Sequence, residues 1–140
     1  MTTNVSPLVD KWFRMWNGDL ALVEDVATPD IRVHATKLDG GELPLVGREE
    51  LTGWVGGARS AFTTLDYALE VGPVVEDDLV AMRWSAAGVY GGGIPGAAAE
   101  RGAKVAFTGM DILRVVDGKF AEYWINSDLH VMLAQLKISA

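Results

Sequence analysis

The chain has no cysteine. That excludes disulfides and thiolate metal sites, and it fits a reducing, cytoplasmic setting. Histidine is scarce as well: His34 and His130 are the only two among 140 residues. With scattered carboxylates they make no metal-ligand spacing, so no metal is expected. Basic residues are outnumbered, 12 Lys and Arg against 19 Asp and Glu, and the net charge of −7 leaves no basic stripe for nucleic acid. No uninterrupted apolar run approaches the roughly 20 residues that span a bilayer. The opening MTTNVSP has no basic region followed by an apolar run, so neither a membrane span nor a secretion signal is expected. There is no internal repeat. The glycines of YGGGIPG, residues 90 to 96, are no nucleotide fingerprint, because the pattern after them is that of a strand.

What is present is apolar and aromatic. Hydrophobic residues make up 49% of the chain and five residues are tryptophan, enough for one domain over residues 1–140 with a core and a small ligand cavity. SPLVDKWFRMWNG reads as a first helix, with Ser6 as N-cap, Pro7 in the first turn, Gly18 closing the end, and an apolar stripe of Leu8, Trp12, Met15 and Trp16. DLALVEDVA predicts a short second helix opened by Asp19, and IRVHAT a strand after Pro29. GREELTGWVGGARSAF predicts a helix burying Leu51, Trp54, Val55, Ala58 and Phe62, despite Gly56 and Gly57, each of which costs roughly 1 kcal/mol relative to alanine. From LDYALEV onward the period is two, with strands over LVAMRWSAAGVY, AKVAFTGMDILRVV and KFAEYWIN before a closing helix, SDLHVMLAQLK. Helices first, then antiparallel strands, then a helix argue for an α+β fold, a curved sheet wrapped around the helices.

VVDGKF predicts a three-residue hairpin loop, Asp117 to Lys119, with a glycine bulge, in preference to a two-residue loop that would shift the pairing by one and put Asp111 opposite Trp124. Val116 then faces Phe120, Arg114 faces Glu122, Ile112 faces Trp124 and Asp111 faces Ile125; the opposite charges of Arg114 and Glu122 favour this register. One face then carries Gly109, Asp111, Leu113, Ala121, Tyr123 and Ile125. A lone aspartate in such company must find a partner or take up a proton, because burying an unpaired carboxylate is costly.

GGGIPGAAAERGAKVAFTGMDILRVVDGKFAEYW resembles the G-I-P-P-T-G and F-x-G-x-D-x-x-R-x-x-D-G-K-I-x-E-x-W stretches of the SnoaL-like polyketide cyclases (ester cyclases) of the NTF2-like superfamily, and WNGDL, PDIRVH and VGREEL fit in order. The resemblance implies an NTF2-like, cystatin-like cone with a deep pocket between helices and sheet. It places the cyclase aspartate after the tryptophan of Glu-x-Trp, where this chain has Ile125. Limonene epoxide hydrolases of the same fold use an Asp-Arg-Asp set; Arg83 fits the arginine, but Ser85 and Ile125 stand at the carboxylate positions. In the steroid isomerases of the superfamily, Asp111 matches the protonated aspartate of the oxyanion hole and His34 falls at or beside the general base. The oxyanion-hole tyrosine of those isomerases has no clear match, the region offering Lys11 and Trp12.

These readings define a set of expectations. Asp111 donates a hydrogen bond to a substrate carbonyl or acts as a base, and His34 shuttles the proton. Trp16, Trp54 and Tyr123 shape a pocket for a small apolar molecule, with Ile125, Arg83 and Asp128 beside it. Asp128 is read first as an N-cap, worth roughly 1 kcal/mol, and only second as a pocket residue. Ile112 and Trp124, on the other sheet face, suggest a homodimer. The expected function is cofactor-independent acid-base (enolate) chemistry on an apolar cyclic ketone or polyketide-like intermediate, of cyclase or isomerase type. The alternative is a binding or dimerisation module that has lost the chemistry, which Ile125 favours.

Overall fold

Pro7 in the first turn and apolar residues three or four apart produce helix α1 (Ser6–Trp16), which buries Val9, Trp12, Met15 and Trp16. Burying each of these stabilises the fold by roughly 2 kcal/mol. The cap differs from expectation: Ser6 is already helical, and its N–H donates to Asn4 Oδ1 at 3.1 Å. The computed structural model describes residues 4–36 and 41–138; the first three residues of MTTNVSP lie outside them. DLALVEDVA does not form one helix. It divides into a 3₁₀ turn (Leu20–Leu22) and a four-residue helix α2 (Val23–Val26), because Ala27 already enters a strand.

Strand β1 (Ala27–Thr36) is followed by β2 (Glu42–Val46), a strand the sequence pattern does not announce. Pro44 sits within β2, and proline is tolerated there because β2 is the edge of the sheet. Helix α3 (Arg48–Ser60) buries Leu51 and Val55 and leaves Trp54 half-buried and Ala58 exposed. Its glycines do not answer to tight packing, since a Cβ at Gly57 would meet open space and one at Gly56 only an ordinary contact with Leu20.

Strands β3 (Phe62–Glu76), β4 (Leu79–Tyr90), β5 (Lys104–Val116) and β6 (Lys119–Ser127) and helix α4 (Leu129–Gln135) complete the chain. The sheet order is β2-β1-β6-β5-β4-β3. All pairs are antiparallel except β1 with β6, which are parallel, a correction to the expected all-antiparallel sheet. Register shifts along β3 bend the sheet around α1 and α3. Only the first half of β3 faces inward: Leu65 is buried and Tyr67 half-buried, while Leu69 and Val71 are exposed.

The β5–β6 hairpin keeps the expected pairs Arg114–Glu122, Ile112–Trp124 and Asp111–Ile125 by a different route. Val116 pairs with Lys119, so the turn has two residues, Asp117 (φ 51°) and Gly118 (φ 80°), both left-handed as a type I′ turn requires. The extra residue is Ala121, a bulge one step inside β6. Phe120 therefore faces the core with Tyr123 instead of sharing the outer face with Glu122, and both are fully buried. The glycine-rich segment after β4 is tied down at both ends. Ile94 N–H donates to the Tyr90 hydroxyl at 3.0 Å, and Ala98 and Ala99 N–H donate to the carbonyls of Lys137 and Leu136.

Candidate active site

Gly109 and Trp84 are opposite one another on β5 and β4. A Cβ at Gly109 would overlap the Trp84 ring, so this glycine is the space in which the indole lies. From there Trp84 reaches Asp111, two residues along β5 and on the same face. Trp84 Nε1–H donates to Asp111 Oδ1 at 2.9 Å. The bulge at Ala121 helps to turn Tyr123 inward, and its hydroxyl donates to the same oxygen at 3.0 Å. Helix α1 adds Trp12, whose Nε1–H points to Oδ2 at a longer 3.4 Å. Oδ1 thus has two good donors, and Oδ2 has one weak one.

Asp111 is 2% exposed, and it is the one buried charged residue among those described. Burial pushes its carboxyl up from the usual 3.8 to about 6, while the hydrogen bonds from Trp84, Tyr123 and Trp12 oppose the rise. At neutral pH the group is mostly ionised, by roughly ten to one. Tyr123 lies the other way: burial first, then the negative charge of Asp111, hold its phenol well above the usual value, so it stays a donor. A carboxylate of this kind carries charge at pH 7 yet binds a proton far more tightly than an ordinary aspartate. It is suited to proton transfer.

Asp111 borders a cavity of about 1290 Å³, whose walls include Trp16, Trp54, Tyr67, Ile125 and Leu133. The aromatic walls brace one another: Trp16 meets Trp54 and Tyr123 edge to face, with ring centroids 5.4 Å and 6.4 Å away, and Tyr67 at a tilt, 5.1 Å away. Among the described lining residues there is no lysine or arginine; Asn126 and His130 add polar groups near the C-terminal helix. Trp16, Trp54, Tyr123 and Ile125 all lie on this wall.

Three expected site residues do not. His34 is on the outer face of β1, because the parallel pairing with β6 sets it beside Trp124, not Asp111. Its ring stacks on Trp124 at 5.3 Å and donates from Nε2 to Glu122 Oε2 at 2.7 Å. Arg83 also faces outward, its Nε bonded to Glu70 Oε1 at 2.8 Å, so it pairs with neither substrate space nor Asp111. Asp128 precedes α4 but makes no side-chain cap; its Oδ2 accepts from Thr108 Oγ1 at 2.7 Å, and it is exposed outside the cavity. Sequence reasoning counted Trp12 among the possible pocket aromatics without seeing it as a donor to Asp111, and it missed the donor Trp84 and the cavity-lining Tyr67, Asn126 and His130. The signal for Trp84 was its alternation with Met82 and Ala86 opposite a glycine. Among the described residues no three His, Asp or Glu side chains cluster as metal ligands, and no helix is long and apolar enough to cross a membrane.

The fold has relatives among solved structures. Wild-type IdmH of Streptomyces antibioticus, a candidate polyketide cyclase, is 26% identical, with a TM-score of 0.82 over 97% of this chain and 100% of that one. TsrD of Streptomyces laurentii is 24% identical, with a TM-score of 0.81 over 97% and 98%. A candidate polyketide cyclase of Acidithiobacillus ferrooxidans is 18% identical, with a TM-score of 0.81 over 98% and 96%, and shows the fold alone. None of the curated protein sequences matches the chain. The family model of the SnoaL-like polyketide cyclases matches residues 8–136. With nearly the whole chain matched, this protein belongs to the SnoaL-like polyketide cyclase family.

Proposed function

We propose that the protein is a cofactor-independent cyclase-type enzyme in which the Asp111 carboxylate removes a proton α to a carbonyl of an apolar, polyketide-like substrate. The observation that carries this reading is a single buried carboxylate, ionised at neutral pH but with its proton affinity raised, set in the wall of a large aromatic cavity. This assigns Asp111 the role of base. The neutral hydrogen-bond donor suits it less well, because a carboxyl at about 6 has lost its proton at pH 7. His34 takes no part, since it is engaged with Glu122 on the other face. With no lysine or arginine among the described lining residues and a negative Asp111 present, the cavity favours an uncharged ketone or ester over a free acid. Cyclisation, isomerisation and dehydration share this first enolate-forming step.

The test is deuterium exchange at the methyl group of 2-acetylnaphthalene, an uncharged aryl ketone. The wild type is expected to accelerate exchange, with a rate that rises as pH passes through about 6. Asp111→Asn is expected to lose at least about a hundredfold. Equal rates in the two proteins would remove Asp111 from the mechanism. Binding of the ketone without exchange would favour the second reading, a binding module, for which Ile125 at the place of the cyclase aspartate is the supporting observation. The outer sheet face supports a homodimer: Met110, Ile112 and Val116 are 52%, 44% and 42% exposed beside Trp124. A monomer in light scattering at micromolar concentration would overturn the dimer.

A further inference from the structure

Two of the three tyrosine hydroxyls have a protein partner. Tyr123 donates to Asp111, and Tyr90 accepts from the Ile94 N–H. Tyr67 is the third: among the described residues its hydroxyl makes no hydrogen bond, although the residue lines the cavity. Its position is otherwise over-determined. The backbone is held on the free edge of β3 by a pair of bonds with Asn17, Tyr67 N–H to Asn17 Oδ1 at 2.7 Å and Asn17 Nδ2 to Tyr67 O at 3.0 Å. The ring is wedged against Trp16 at 5.1 Å, Trp84 at 5.3 Å and Phe107 at 6.4 Å. Trp84 is the same indole that donates to Asp111, so the Tyr67 ring and the Asp111 carboxylate both contact this one side chain, and both residues line the cavity. Trp16 Nε1 also lacks an acceptor, but that nitrogen is itself buried, whereas Tyr67 is half-buried.

We propose that Tyr67 is the oxyanion donor of this site, its hydroxyl receiving the carbonyl oxygen of an uncharged ketone or ester whose α-carbon lies against Asp111. The chemistry rests on the reading of Asp111 as base, and the binding does not. As the α C–H bond breaks, its proton passes to Asp111 Oδ2, the oxygen left with only the 3.4 Å contact from Trp12. The electron pair from that bond moves toward the carbonyl oxygen, and the charge that develops there strengthens the bond from Tyr67. The phenol keeps its own proton throughout: burial pushes it up to about 12, against the pull of Arg59 and with the help of the Asp111 charge. A fixed neutral donor beside a buried base favours the enolate over the ketone, which is what an oxyanion site must do.

The experiment compares 2-acetylnaphthalene with 2-isopropenylnaphthalene, the same shape without the acceptor, in wild type, Tyr67→Phe and Asp111→Asn. The wild type is expected to bind the ketone about tenfold more tightly than the hydrocarbon and to move its carbonyl stretch to lower wavenumber. In Tyr67→Phe the preference and the band shift disappear, hydrocarbon affinity is kept, and exchange slows about a hundredfold. A wild type that does not prefer the ketone, or whose bound carbonyl band is unshifted, overturns the proposal without any variant. So does a preference that survives in Tyr67→Phe. If Asp111→Asn still catalyses exchange while Tyr67→Phe loses the preference, the base assignment falls and Tyr67 stands.

Discussion

The raised proton affinity of Asp111 makes the stability of the fold depend on pH in a direction opposite to that of most aspartates. In the folded chain the carboxyl holds its proton up to about 6; unfolded, it lets go near 3.8. The contribution of this group is therefore fully present below the unfolded value and is lost as pH rises through the folded one. The difference of about two pKa units corresponds to about 3 kcal/mol, most of it spent between about pH 4 and pH 7. Against a typical total of about 5–15 kcal/mol that is a large share. Other groups titrate over the same range, so the measurement is a difference between wild type and Asp111→Asn in urea unfolding from about pH 4 to about pH 8. Asparagine keeps the shape and an acceptor for Trp84 and Tyr123, and it removes the titration. The variant is expected to gain on the wild type steadily as pH rises, by about 2–3 kcal/mol or roughly 10 °C in melting temperature. A difference that stays flat across this range, or that runs the other way, would refute the claim that Asp111 ionises at a cost inside the fold.

Gly109→Ala forces the Trp84 ring out of its place, so it is expected to cost about 1–3 kcal/mol in thermal melts and to change the near-ultraviolet circular dichroism of the tryptophans. Tyr123→Phe removes a donor that favours the ionised carboxylate; the midpoint of the exchange rate against pH is expected to move above about 6, and an unmoved midpoint would contradict the hydrogen-bond account. Glu122 is held below the usual carboxylate range by the hydrogen bond from His34 first and then by Arg114, so its contribution is present above about 4.5 and lost as pH falls. Because Glu122 is partly exposed, Glu122→Gln is expected to cost less than about 1 kcal/mol near neutral pH in urea unfolding, and nothing in strong acid.

Much of this architecture can be read from residue order, and the reasons for success and failure are physical. The two-residue period of GMDIL sets Asp111 on the apolar side of β5, and the charges of Arg114 and Glu122 pin the pairing with β6. The bulge at Ala121 cannot be seen in composition, because one inserted residue leaves the hydrophobic content of β6 unchanged while turning Phe120 inward. β2 is hidden by its proline, which only an edge position makes acceptable. His34 looks like a catalyst in isolation; its actual surroundings come from β6, which is 88 residues away in sequence at Glu122. Asp128 sits where a cap belongs, but Thr108, 20 residues earlier, takes its carboxylate. Local pattern thus identified the carboxylate and much of its wall, and long-range pairing decided which other polar groups stand beside it.

The three donors to Asp111 are 99, 27 and 12 residues from it along the chain. They come from the first helix, the fourth strand and the sixth, so no fragment of the chain can assemble the set. In a chain whose α1 has come away, Asp111 loses Trp12, gains water and reverts toward an ordinary surface carboxylate. The raised proton affinity of Asp111 is thus a property of the completed fold and not of the residue, and it arises only after the longest loop has closed. A population of partly folded molecules would contribute empty copies, not weakened ones, and the fraction active would follow the fraction fully folded.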